Sequence, residues 1–292
     1  MTPPYRRIHV IINPASGKNQ PMVNIINDVC RRFGVTWDAT ITHRYGDATA
    51  QAQAAIAAGV DLVAGYGGDG TQHEVANAIL SSKRQIPMAI LPGGTGNGFC
   101  RENNVPDDLQ AAVELMCTSA NLRHVDAVKM ADGYFIQRLY TGVEPEQQTS
   151  RELKERYGVL AYAMTVRQQA QEMIEAVYRL TIDGQVVERR GTRCYVVNSG
   201  MTGRGITASA EFSATDGLVD VFLLNRDLAH VQALAERFLS VGGPLSGLDY
   251  WRCREITIES VPDRAVWTDG EYIGRTPVTA TVLPGALAVV VP

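Results

Sequence analysis

Over the first hundred residues, short apolar runs alternate with stretches of helical periodicity. Residues 8–12 are an apolar run stopping at Asn13-Pro14, the pattern of a buried strand that meets a turn. Helical spacing follows over 21–33, with Gly34 as its stop. A second strand is predicted at 35–42. Asp47 is placed to cap an Ala-rich helix over 48–58, which Gly59 closes. Residues 60–64 read as a third strand, 71–80 as a third helix and 87–91 as a fourth strand. Repeated βα units this short predict a parallel sheet with helices on both faces.

Beyond about Val125 the pattern changes. Residues 134–142, 177–182, 192–198, 218–224 and 254–259 read as strands, many of them β-branched or aromatic. Turn pairs such as Asp132-Gly133, Asp183-Gly184 and Asp216-Gly217 separate them, and helical spacing interrupts at 159–176 and 228–241. The second of these carries Val231, Leu234, Ala235, Phe238 and Leu239 on one face, as a core helix does. The fold class expected is therefore α/β plus β. An α/β domain over 1–125 precedes a mainly antiparallel β domain over 126–292.

A length of 292 residues supports two domains, because single cores rarely grow so far. Twenty-seven basic against 31 acidic residues leave a net charge of −4, which argues against a nucleic-acid partner held by bulk positive charge. No apolar stretch is long enough to cross a bilayer, and residues 1–7 lack a secretory apolar region. The scattered cysteines 30, 100, 117, 194 and 253 fit reduced cytosolic thiols better than a disulfide framework or a zinc site. A cytoplasmic location is expected, with any membrane contact peripheral. Arg151, Lys154 and Arg156, diluted by Glu152 and Glu155, read as a solvated face, or else as a contact for anionic headgroups.

The most informative segment is Gly65-Tyr66-Gly67-Gly68-Asp69-Gly70-Thr71, between a predicted strand and a predicted helix. Glycines there let the backbone approach a phosphate, and the helix adds the positive end of its dipole. Asp69 is placed to hold a magnesium ion or to orient polyphosphate-bound water, which makes it a catalytic candidate. A plainer reading, a turn capped by a Thr71–Glu74 box, is compatible with it. Leu91-Pro92-Gly93-Gly94-Thr95-Gly96-Asn97-Gly98 is a second such turn. Asn13-Pro14-Ala15-Ser16-Gly17-Lys18 leaves the first strand at the same sheet edge, without the spacing of a Walker A loop. In an open α/β sheet that edge is where ligands bind.

With these loops in place, the sequence resembles the diacylglycerol kinase catalytic superfamily, which includes sphingosine and ceramide kinases and bacterial soluble lipid kinases. The motifs are Asn13-Pro14 with Ser16-Gly17-Lys18, then 67–71, then 92–97, and later Asp216-Gly217-Leu218 and Asp269-Gly270-Glu271. Their order spans nearly the whole chain. The resemblance implies a phosphofructokinase/NAD-kinase-like first domain, a β-sandwich second domain and a cleft between them. It also implies final strands, 278–281 and 286–291, returning to the first domain from about 276 onward.

It further implies ATP over the glycine loops, at positions matching Asn13, Ser16, Lys18, Thr42, Gly67, Gly68, Asp69, Gly70, Thr71, Gly94, Thr95 and Asn97. Glu271 matches the proton acceptor. A magnesium site maps onto Asp216, the backbone of Leu218, and Ser213. A lipid alcohol would be the acceptor, met in transient contact at the inner membrane face; oligomeric state is left open, a homodimer included. On the residues alone, both Asp-Gly pairs of these late motifs read as hairpin turns.

Two departures stand out. Gly98 occupies the place where many bacterial members carry Asp, which removes a candidate carboxylate. Glu144, in Gly142-Val143-Glu144-Pro145-Glu146, is the nearest stand-in for a substrate-reading acid. The competing expectations are an NAD kinase, which shares the Gly-Gly-Asp-Gly loop, and a non-catalytic nucleotide-binding regulator.

Overall fold

A computed structural model describes residues 3–16, 20–94, 96–144, 174–199, 201–202, 206–207, 212–225 and 249–292. Contacts divide the chain into two compact units, Met1–Asp126 with Gly285–Pro292, and Ala127–Pro284. The helix expected at 228–241 and the cations Arg151, Lys154 and Arg156 lie outside the described residues. So does most of the helix expected at 159–176, of which residues 174 and 175 are irregular and Ala176 opens a strand.

The first unit starts with β1 (Arg7–Ile12), a short 3-10 turn (Pro14–Ser16), α1 (Met22–Phe33), β2 (Thr36–Ile41), α2 (Asp47–Ala57) and β3 (Leu62–Gly67). Next come α3 (Asp69–Leu80), β4 (Met88–Pro92), α4 (Gly98–Glu102), α5 (Leu109–Thr118) and β5 (Leu122–Met130), whose last residues belong to the second unit. The sheet runs β2-β1-β3-β4, all parallel. Every residue of β3 and β4 is buried, as expected of strands covered on both faces, while the edge strand β2 is mostly exposed. α1 packs on α5, and α2 on α3. Gly34 ends α1 in the left-handed region at φ 68°, where its N–H reaches the Arg31 carbonyl.

Two expected caps are corrected. The residue before α2 is Gly46, and Asp47 turns its carboxylate backward to accept the His43 and Arg44 N–H groups at 2.8 and 3.1 Å. The N–H groups of Ala48 and Thr49 are instead taken by Glu74 Oε2, at 3.0 and 3.3 Å. Glu74 therefore serves a neighbouring helix and does not box with Thr71. α3 begins at Asp69 behind an extended Gly68.

The second unit continues with β6 (Gly133–Phe135), β7 (Arg138–Thr141), β8 (Ala176–Ile182), β9 (Gln185–Gly191) and β10 (Arg193–Val197). Then come β11 (Met201–Thr202), β12 (Ile206–Thr207), β13 (Val219–Leu224), β14 (Asp249–Cys253), β15 (Glu255–Val261), β16 (Ala265–Thr268), β17 (Glu271–Arg275) and β18 (Val278–Val290). β11 and β12 form a small pair of their own. An antiparallel sheet is ordered β14-β13-β10-β7-β16-β17. In a second antiparallel layer β18 pairs with β15, β15 with β8, and β8 with β9.

One apolar cluster joins Leu139, Val196, Val221 and Val266 of the first layer to Tyr178, Leu180, Ile256, Ile258 and Ala280 of the second. Each large side chain buried there contributes about 1.5–3 kcal/mol. Where two final strands were expected, β18 is a single strand of 13 residues containing Pro284 and Gly285. Its end, from Gly285, belongs to the first unit, where Val289 pairs parallel with Met88.

Candidate active site

Parallel register brings three strand ends of the first unit level. Ile12 pairs with Tyr66, and Gly67 with Pro92. The loops that follow are stitched by main chain: the Asn13 N–H donates to the Tyr66 carbonyl and the Gly93 N–H to that of Gly67, both at 3.0 Å. Asn13 Nδ2 reaches Thr71 Oγ1 at 3.1 Å, while Ser16 Oγ turns back to the Asn13 carbonyl at 2.9 Å.

Absence of side chains is a steric requirement here. A Cβ on Gly67 would lie 2.3 Å from Thr71 Oγ1, and one on Gly94 would lie 2.5 Å from the Gly68 Cα. Gly67-Gly68 and Gly93-Gly94 pack backbone on backbone beside the start of α3, and unpaired N–H groups at a helix start attract anions.

Asp69 is the clamp between those loops. Its Oδ2 accepts the Gly98 N–H at 3.2 Å, and its Oδ1 accepts the Phe99 N–H at 3.0 Å. Asn97, buried and left-handed at φ 50°, accepts the Gly94 N–H through Oδ1 at 3.0 Å. Thr42 is buried, with its N–H on the Ile12 carbonyl at 2.9 Å. Burial pushes the Glu74 carboxyl up, against the pull of the amides it accepts at the start of α2. Asn13, Ser16, Thr42, residues 67–71, Gly94 and Asn97 thus belong to one edge of one sheet. Lys18 and Thr95 lie outside the described residues.

In the second unit, Asp269-Gly270 is the turn of the β16–β17 hairpin, with both residues at positive φ, 48° and 99°. The hairpin read from the residues alone is borne out. Asp269 accepts the N–H groups of Ile136, Gln137 and Arg138 at 2.9, 3.0 and 2.9 Å. Its own N–H donates to the Arg138 carbonyl at 2.9 Å. The strand expected unbroken over 134–142 is divided at this clamp into β6 and β7. Glu271, the first residue of β17, is partly buried and pairs across the hairpin with Thr268.

Asp216 accepts the Leu218 N–H through Oδ1 at 3.0 Å, and its Oδ2 is held by Arg252 Nη2. Arg252 Nε also lies 3.4 Å from Asp220, which Tyr250 contacts through its hydroxyl. Ser213 Oγ is 3.0 Å from Thr215 Oγ1. These donors are all oxygens, the type a magnesium ion prefers. The one carboxylate of the implied set has an amide on one oxygen and a guanidinium on the other, so an ion there would share Asp216 with Arg252 or displace it. Among the described residues no group of three or more His, Cys, Asp or Glu is arranged to hold a metal. Glu144 is likewise engaged, by Arg275 at 2.8 and 3.4 Å, with Asp263 on the same guanidinium.

Sequence reading missed Glu74 as the cap of α2, Asp269 as a clamp and Arg252 as the partner of Asp216. Only Asp269 carried a local signal, its place before Gly270. The partners of all three are remote in sequence.

Residues 7–130 match the diacylglycerol kinase catalytic domain, and residues 137–291 match the YegS C-terminal NAD kinase beta sandwich-like domain. Proteins named diacylglycerol kinase from Staphylococcus aureus strains bovine RF122 / ET3-1 and MRSA252 are each 27% identical over 282 residues, covering 93% of this chain and 88% of the relative. A crystal structure of a diacylglycerol kinase from Bacillus anthracis str. Sterne superposes with a TM-score of 0.82 at 25% identity, over 99% of this chain and 98% of that one.

Proposed function

The chain belongs to the diacylglycerol kinase family and is a lipid kinase, and from that footing we propose that it transfers the γ-phosphoryl group of magnesium-bound ATP to a lipid hydroxyl, with diacylglycerol the first acceptor to test. The observation that carries this reading is the packing of Gly93-Gly94 on Gly67-Gly68, with Asp69 clamping the Gly98 and Phe99 amides beside the start of α3. Backbone N–H groups left clear of side chains suit a polyphosphate chain.

In this reading Asn13, Ser16, Lys18, Thr42, the 67–71 loop, Gly94, Thr95 and Asn97 hold the nucleotide. Asp69 keeps the loops in register. Magnesium arrives with ATP and neutralises charge on the phosphates, which lowers the barrier to phosphoryl transfer.

Glu271 supplies the base. A lipid alcohol is a weak nucleophile, so its proton must leave as its oxygen bonds to phosphorus. That proton passes to the Glu271 carboxylate, the bond from the γ-phosphorus to the β–γ bridging oxygen breaks, and ADP departs. The acceptor sits in a bilayer, so the chain makes transient contact with the inner membrane face. No helix among the described residues is long and apolar enough to cross a membrane.

The test is transfer of label from γ-labelled ATP to diacylglycerol, sphingoid base, phosphatidylglycerol and NAD. Label should appear in a lipid. Glu271→Gln should lower kcat by about 10²–10⁴-fold with the melting temperature retained. Label in NAD alone, or in no acceptor, overturns the proposal.

A further inference from the structure

We propose that Thr268 is a positioning residue for Glu271, its hydroxyl holding the carboxylate in the orientation that receives the acceptor's proton. The inference rests on the reading of Glu271 as the base. Thr268 is 1% exposed, and its Oγ1 has no hydrogen-bond partner. A buried hydroxyl in that state carries a desolvation cost without return, and native proteins rarely retain one for packing alone.

The register shows where this hydroxyl can find a partner. On one side Thr268 pairs with Leu139 of β7, and two residues earlier on the same strand face lies Val266. Both belong to the apolar cluster between the sandwich layers and offer no acceptor. On the other side Thr268 pairs with Glu271 across the Asp269-Gly270 turn.

Residues directly opposite in an antiparallel pair share a face, with Cβ atoms about 4.5–5.5 Å apart. Across the hairpin, the polar side chain that register places directly opposite Thr268 is therefore the carboxylate. Asp269 fixes the turn between them through three main-chain N–H groups, so neither strand is free to slip. In the proposed arrangement the Glu271 side chain turns towards that hydroxyl. Thr268 would donate and Glu271 accept, leaving the second carboxylate oxygen for the lipid hydroxyl. Such a bond acts on the base and not on lipid affinity, so its loss should appear in kcat and not in KM.

Thr268→Val is nearly isosteric and removes only the hydroxyl. Its kcat should fall about 10–100-fold, the scale of a hydrogen bond to a charged group, with the KM values for ATP and lipid unchanged. Its melting temperature should change little, because the substitution keeps the buried volume. Thr268→Ser keeps the donor and should restore most of the turnover.

Wild-type kcat in Thr268→Val, alongside an inactive Glu271→Gln, overturns this inference and leaves the base assignment standing. An unimpaired Glu271→Gln removes the base assignment itself. Equal losses in the Val and Ser variants point to packing and also overturn it.

Discussion

Each unit contains an aspartate in a glycine turn that grips main-chain N–H groups, and the two differ in what they grip. Asp69 reaches 29 and 30 residues along the chain to tie one phosphate-type loop to another within the same sheet edge. Asp269 reaches back more than 130 residues to tie its hairpin to the break between β6 and β7. In the first unit the clamp lies inside the surface proposed to meet ligand. In the second it stands two residues from the group proposed to react, so that Glu271 is carried on a fixed turn. One aspartate shapes a binding surface, while the other steadies a reactive side chain.

The comparison breaks most visibly through stability. Asp269→Ala should cost about 3–5 kcal/mol, since three amide bonds to a charged acceptor are lost together. Asp69→Ala, with two such bonds, should cost about 2–4 kcal/mol. Urea unfolding measures both, and an inverted order would show that the number of gripped amides does not set the scale. Function should divide the other way. Asp69→Asn should weaken ATP binding in calorimetry, whereas Asp269→Asn should leave ATP affinity intact and lower kcat.

A smaller effect separates packing from backbone strain. Gly94→Ala drives a Cβ to within 2.5 Å of the Gly68 Cα, and main chain cannot give way as a flexible side chain can. A cost of about 1–3 kcal/mol, with loss of ATP binding, is expected. Gly270 has nothing within 4 Å of its notional Cβ but sits at φ 99°. Gly270→Ala should cost about 1 kcal/mol through strain alone, with ATP affinity unchanged. Equal effects on ATP affinity would refute the distinction.

Much of this was legible because it is local. Apolar runs 8–12, 60–64 and 87–91 mark the strands β1, β3 and β4, and glycine spacing marks the loops that leave them. Side-chain partnerships were not legible. Thr71 and Glu74 have capping-box spacing, yet Glu74 is used by α2, which only folding brings near. Nothing in the neighbourhood of Asp69 announced that it would accept the Gly98 and Phe99 N–H groups. The Arg275 partner of Glu144 was out of sight 131 positions away. Two final strands, 278–281 and 286–291, were expected, but Gly285 adopts φ 60° and donates its N–H to Asp126 Oδ1 at 2.7 Å, and β18 continues through it.

The smallest expected effect concerns pH and extends the contrast to aspartates with other partners. Asp61 accepts the N–H groups of Arg7 and Arg6, which hold its carboxyl below the ordinary range. Its contribution to stability is present above the unfolded-state pKa and is lost as pH falls through the folded one. Asp220 is different: burial pushes it up to about 6, outweighing the Tyr250 hydroxyl and the Arg252 charge. A raised acid contributes fully below the unfolded value near 3.9, and that contribution fades as pH rises through about 6. The melting-temperature gap between wild type and Asp220→Asn should therefore move against the wild type, by a few degrees, between pH 5 and pH 7. For Asp61→Asn the gap should close on the acid side, below about pH 4. Parallel pH trends in the two variants would mean that burial, and not the identity of the partner, governs both carboxylates.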